Sequence, residues 1–108
     1  MKKIILSISI LLFSFSASAT VITGNIFLDY IKEFEDNNNI GAEGFINGYV
    51  AGLYDAHEPE LADCLGENVT MSSLRDVVVI YLKNNPSKRE WGVDSYFVFL
   101  IKEQWNCS

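Results

Sequence analysis

The chain has 108 residues, of which 49% are hydrophobic and 20% charged, and its 14 acidic residues against 8 basic ones give a net charge of −6 at pH 7. That length holds one domain with a modest core, near the size at which stability becomes thin. Such an acidic balance excludes general electrostatic attraction to nucleic acid or anionic lipid and steers the molecule toward a basic partner, although simple solubility accounts for the charge equally well.

Residues 1–19, MKKIILSISILLFSFSASA, begin with Lys2 and Lys3, run on as uncharged apolar residues from Ile4 to Phe15, and end in Ala17-Ser18-Ala19. This is the pattern of a secretory signal peptide, with cleavage expected after Ala19. The apolar run is too short to cross ~30 Å of hydrocarbon. Thr20, where a lipoprotein would carry a cysteine, provides no lipid anchor. Cleavage leaves residues 20–108 as a single exported helical domain that has no membrane association. The two lysines go with the leader, so six basic residues then face fourteen acidic ones, a net charge of −8.

No segment of the remainder alternates apolar and polar residues, so the reading is all-α: a compact bundle of about four helices held by one disulfide. Thr23 is a suitable N-cap for a first helix to about Phe34, with Phe27, Tyr30, Ile31 and Phe34 on one face. Glu35-Asp36-Asn37-Asn38-Asn39 reads as the polar turn that breaks it. A second helix covers Ala42 to Ala56 through Phe45, Ile46, Tyr49, Val50 and Leu53, and Pro59 ends it. The segment from His57 to Val69 reads as a loop rich in acid: Glu58, Glu60, Asp63 and Glu67. Thr70 caps a third helix whose apolar face is Leu74, Val77, Val78, Tyr81 and Leu82, stopped by Asn84-Asn85-Pro86. A charged link, Ser87-Lys88-Arg89-Glu90, leads to a last helix from Val93 to Trp105 that is apolar almost all round and is expected to be the most buried element.

Three glycines, Gly44, Gly48 and Gly52, recur every fourth residue in the second helix, each costing about 1 kcal/mol relative to alanine. A groove along this stripe would let another helix approach closely. The aromatic last helix, through Phe97, Phe99 and Leu100, is expected to fill it, and a seam between two copies of the chain is the alternative.

Cys64 and Cys107 are the two cysteines of an exported domain and read as one disulfide tying the C-terminus to the middle of the chain. Little here supports catalysis or a cofactor. His57 is the sole histidine, placed at a helix end where it meets free carbonyls and the negative end of the dipole. Pairing it with Cys64 as a nucleophile requires a free thiol, and no metal-ligand spacing is present. A binding surface remains. The acidic stretch Glu58, Glu60, Asp63 and Glu67, pinned at Cys64, would present carboxylates on a partly rigid support, and Trp91, just after the charged link, is the candidate aromatic anchor, a core position being the other reading.

GYVAGLYDA, ADCLGENVTMSSLRDVVVIYLKNNP and the terminal WNCS together resemble the Rap/Tai family of immunity proteins associated with bacterial type VI secretion. The elements that match are Gly48-Tyr49-Val50 with Gly52 and Asp55, then Cys64 and Thr70, then Leu74, Val77, Val78, Tyr81, Leu82 and Pro86, and lastly Trp105 and Cys107. The resemblance covers residues 44–107. It implies a small, helical, disulfide-linked periplasmic protein, often a homodimer. Such a protein protects against sister-cell intoxication by binding a peptidoglycan amidase effector and occluding its Cys–His active site, without being an enzyme itself. A periplasmic acid-stress chaperone of the HdeA type shares the size, compartment, helices and cysteine pair, and stands as the rival reading.

Overall fold

In the computed structural model, residues 21–67 and 69–107 are described. The signal peptide expected at residues 1–19 lies outside them. Helix α1 (Gly24–Asn37) starts as expected: the Thr23 hydroxyl oxygen accepts from the Ile26 N–H at 3.3 Å. It outlasts its expected end at Phe34, because Glu35, Asp36 and Asn37 form a last turn. Asn38, with φ 52°, closes that turn by donating its N–H to the Glu33 carbonyl. Asparagine tolerates this left-handed conformation, which stops the helix. Asn39 then caps α2 (Ile40–Ala56), its side-chain oxygen accepting from the Ala42 N–H at 3.1 Å. The two helices form an antiparallel hairpin. Tyr30 stacks on Phe45 with ring centroids 4.4 Å apart, and Phe27 meets Tyr49 at 6.4 Å.

The segment read as a loop after Ala56 is a helix, α3 (Glu58–Leu65), which makes five helices among the described residues where about four were expected. Pro59 occupies its first turn, where the missing N–H costs nothing, so this proline starts a helix instead of ending one. Leu61 and Leu65, four residues apart, bury one face against the core. Helix α4 (Met71–Asn84) carries a reciprocal capping box in which the Thr70 and Ser73 side chains each bond the other's backbone N–H at 3.1 Å. Two short 3₁₀ turns, Pro86–Lys88 and Val93–Ser95, lead to α5 (Phe97–Gln104). The last helix is therefore shorter than expected. It is also less uniformly buried, since Phe97, Leu100 and Ile101 enter the core but Phe99 is 64% exposed. Its sequence Phe-Val-Phe-Leu-Ile offers no polar face by which periodicity could choose a side.

All five helices feed one core, centred on Phe27, Ile46, Leu61, Leu74, Leu82 and Phe97. The link after α4 is laced to the start of α1. Gly24 N–H donates to the Trp91 carbonyl at 3.0 Å, Asn25 N–H to the Arg89 carbonyl at 2.8 Å, and Val93 N–H to the Ile22 carbonyl at 2.9 Å. This lacing leaves no room at Gly24. A Cβ there would lie 2.5 Å from Leu82 Cδ2 and 2.9 Å from the Arg89 Cα, and the second is backbone that cannot swing aside. Gly24→Ala is expected to lower stability by about 1–3 kcal/mol, the usual cost of overpacking. Urea melts of this variant beside Gly44→Ala provide the check, because a Cβ at Gly44 has open space.

The chain end is fastened by the Cys64–Cys107 disulfide, with a Cα–Cα distance of 5.6 Å across 43 residues of sequence. Among the described residues no strand forms, and no helix is long and apolar enough to cross a membrane. The expectation that α5 fills the glycine stripe is corrected. A Cβ at Gly44, Gly48 or Gly52 would meet no heavy atom within 4 Å, so the stripe faces outward. Ala42, Ile46 and Val50 turn the opposite side of α2 to the core. They lie two positions from the glycines, about 200° around a helix of 3.6 residues per turn.

Candidate partner-binding surface

Local sequence explains why the acidic segment is rigid. Glu58 and Glu60 stand in the first turn of α3, where the positive end of the helix dipole favours carboxylates. Leu61 and Leu65 fix one face inward, leaving Glu58, Glu60 and Asp63 exposed along the rest. Glu67 follows the helix on an exposed turn, after Gly66 has ended it with φ 73°. Three of the four acidic residues thus stand on one short helix with Cys64 among them, and Glu67 follows on the turn after it.

Tethers run from this element to α5. Glu60 is held from two sides: its Oε1 is 3.5 Å from His57 Nδ1 and its Oε2 is 3.4 Å from Lys102 Nζ. The His57 contact, followed by that of Lys102, keeps the Glu60 carboxyl below the usual carboxylate range. His57 itself sits at the junction of α2 and α3, its N–H donating to the Tyr54 carbonyl at 3.0 Å. A Cys64–His57 nucleophile pair does not exist, because Cys64 is bonded to Cys107.

Trp91 is not part of the core. It is 54% exposed on the link between α4 and α5, with Lys88 Nζ 3.8 Å above its ring centroid. It belongs to the lacing around residues 22–25, on an element separate from the acidic helix. Two further side chains matter here. Arg75 donates from Nη1 to Asn47 Oδ1 at 3.0 Å and lies 4.9 Å from the Phe34 ring centroid, so one side chain joins α1, α2 and α4. Tyr96 buries its hydroxyl without a hydrogen-bond partner among the described residues, and burial, reinforced by Tyr81, Tyr49 and Asp94, pushes its ionisation up to about 12. No sequence signal marks either one, since both roles depend on which distant helices meet.

Among the described residues no cluster of three or more histidine, cysteine, aspartate or glutamate side chains is placed to hold a metal ion. The arrangement is suited to recognition by charge and shape: an acidic helix tethered at Glu60 and Cys64, an exposed tryptophan under a lysine, and a bare glycine face on α2.

Comparison with known proteins agrees with a recognition role. The family model described as Rap1a immunity proteins matches residues 23–107, from the cap of α1 to the second cysteine. No curated protein and no solved structure matches the chain.

Proposed function

This chain belongs to the Rap1a immunity protein family, and from that premise we propose that it is a noncatalytic inhibitor of a type VI secretion effector. In this reading residues 1–19 direct export to the periplasm and are removed. The remaining domain binds a peptidoglycan amidase injected by sister cells and occludes its active-site cleft.

One observation carries the proposal: the acidic helix α3 is held in place before any partner arrives. Leu61 and Leu65 anchor it to the core, Glu60 joins it to Lys102, and Cys64 joins it to Cys107. A preordered segment pays little conformational entropy on binding, which is what a tight inhibitor requires. Its exposed carboxylates, Glu58, Asp63 and Glu67, would speed encounter with a basic cleft and fix the docking register. Trp91 would serve as a separate aromatic anchor. The open stripe Gly44, Gly48 and Gly52 supports a homodimer in which two α2 helices approach closely, since among the described residues nothing packs where a Cβ on these glycines would stand.

The test is capture. Mature, oxidised protein used as bait against competitor-cell secretions is expected to retain one stoichiometric hydrolase and abolish its peptidoglycan-cleaving activity. Replacing Glu58, Asp63 and Glu67 by glutamine should slow association and weaken inhibition by roughly tenfold or more, with loss of its salt dependence. Recovery of many unrelated proteins, captured only at acid pH, would instead place the molecule among chaperones. Gly48→Leu should leave the monomer folded and shift a dimer to monomer in sedimentation; an unchanged sedimentation profile removes the glycine seam.

A further inference from the structure

Basic residues are few in this acidic molecule, six from residue 20 onward, yet the fold gathers half of them, although 57 positions separate Lys32 from Arg89. Three of them, Lys32, Lys83 and Arg89, line an open cavity of about 350 Å³ between α1, the C-terminal end of α4 and the link that follows. Its floor is apolar at Leu28, and Glu35 and Asp36 complete the wall. None of the three cations forms an ion pair among the described residues. Arg89 is nevertheless fixed. Its Nε donates to the Leu82 carbonyl at 2.9 Å and one terminal nitrogen to the Lys83 carbonyl at 3.3 Å, while no described residue accepts from the other terminal nitrogen.

We infer that this cavity binds a carboxylate, presented as an acidic side chain by a polypeptide partner. Charge selects the ligand class. Three cations set against two carboxylates leave one net positive charge, which matches a carboxylate and disfavours a doubly charged phosphate. Trp91 selects the source. It stands half-exposed on the same link that delivers Arg89, with Lys88 over its ring, and offers an apolar chain segment a surface that a free anion would not use. The inference rests on the reading that the chain docks on a protein, and it gives that partner an acidic contact in addition to the basic cleft facing α3.

Isotope-labelled, oxidised mature protein is titrated with the blocked peptide Gly-Leu-Glu-Leu-Gly, with its glutamine counterpart, and with inorganic phosphate. Amide shifts around Lys32, Lys83 and Arg89 are expected with the glutamate peptide, at an affinity about tenfold above that of the glutamine peptide. The Lys32→Gln/Lys83→Gln variant, which changes two exposed side chains and should keep its melting temperature, is expected to lose this difference. Equal responses to the two peptides, no loss in the variant, or phosphate binding at least as tight as the glutamate peptide would each overturn the inference. No effector enters the experiment. Failure here removes the cavity and leaves the immunity reading intact, whereas a chain that binds the peptide but captures no hydrolase removes that reading alone.

Discussion

Reduction of the Cys64–Cys107 bond is expected to lower stability by about 4 kcal/mol, the chain-entropy value for a closed loop of this length. A domain of this size has only about 5–15 kcal/mol in hand, so the bond decides whether a large or a negligible fraction is folded. At a urea slope of about 1–3 kcal/mol per molar, the midpoint should fall by roughly 2 M. Cys64 is exposed, and reductant therefore reaches it in the native state. Its partner is fixed by the backbone: Cys107 N–H donates to the Lys102 carbonyl at 2.8 Å, past Asn106 in the left-handed region. Loss of the bond frees α3 on the side where Glu60 and Lys102 are the remaining tether, so inhibition should weaken even at urea concentrations where the core persists. A double serine variant tests both effects. An unchanged urea midpoint would mean that the bond closes a loop already closed by packing.

What the sequence made legible was whatever one helix settles by itself. Thr23 and Thr70 were readable as caps because the hydroxyl and its backbone partner lie within four residues of each other. The inner faces of α1 and α4 were readable because Phe27 and Ile31, or Leu74, Val78 and Leu82, recur at one helical spacing. Pro59 was misleading because it fits either just after a helix or in its first turn. Only the burial of Leu61 and Leu65, a matter of tertiary packing, decides for the latter. The glycine stripe was visible but its direction was mistaken. Ala42, Ile46 and Val50, on the opposite side of the same helix, carry the competing apolar signal, and only tertiary packing decides between the two faces. At the candidate site, Glu58, Glu60, Asp63 and Glu67 lie close together in sequence and are legible as a group. The cationic cavity is not, because Lys32, Lys83 and Arg89 come from three segments far apart in sequence that meet where α1 packs on α4 and Arg89 bonds back to the Leu82 and Lys83 carbonyls.

Phe97 and Phe99 give the clearest separation of core from surface, and substituting each by alanine is expected to have opposite consequences. Phe97 is 0% exposed at the start of α5, among side chains from the other helices, so Phe97→Ala removes a buried ring and leaves a cavity. Such truncations cost about 3–5 kcal/mol, close to the whole stability of a small domain. Phe99, two residues on and 64% exposed, should change stability by no more than about 0.5 kcal/mol in the same substitution. The consequence for function follows from what α5 carries. Lys102 holds Glu60, and the chain beyond it leads to Cys107. A loosened α5 therefore releases the acidic helix from one of its two tethers while the disulfide persists. Phe97→Ala is expected to lose inhibition together with its melting transition, and Phe99→Ala to keep both. Equal melting temperatures for the two variants would place Phe97 outside the core. An inhibitor weakened by Phe99→Ala at full stability would instead put the exposed face of α5 in the contact with the effector.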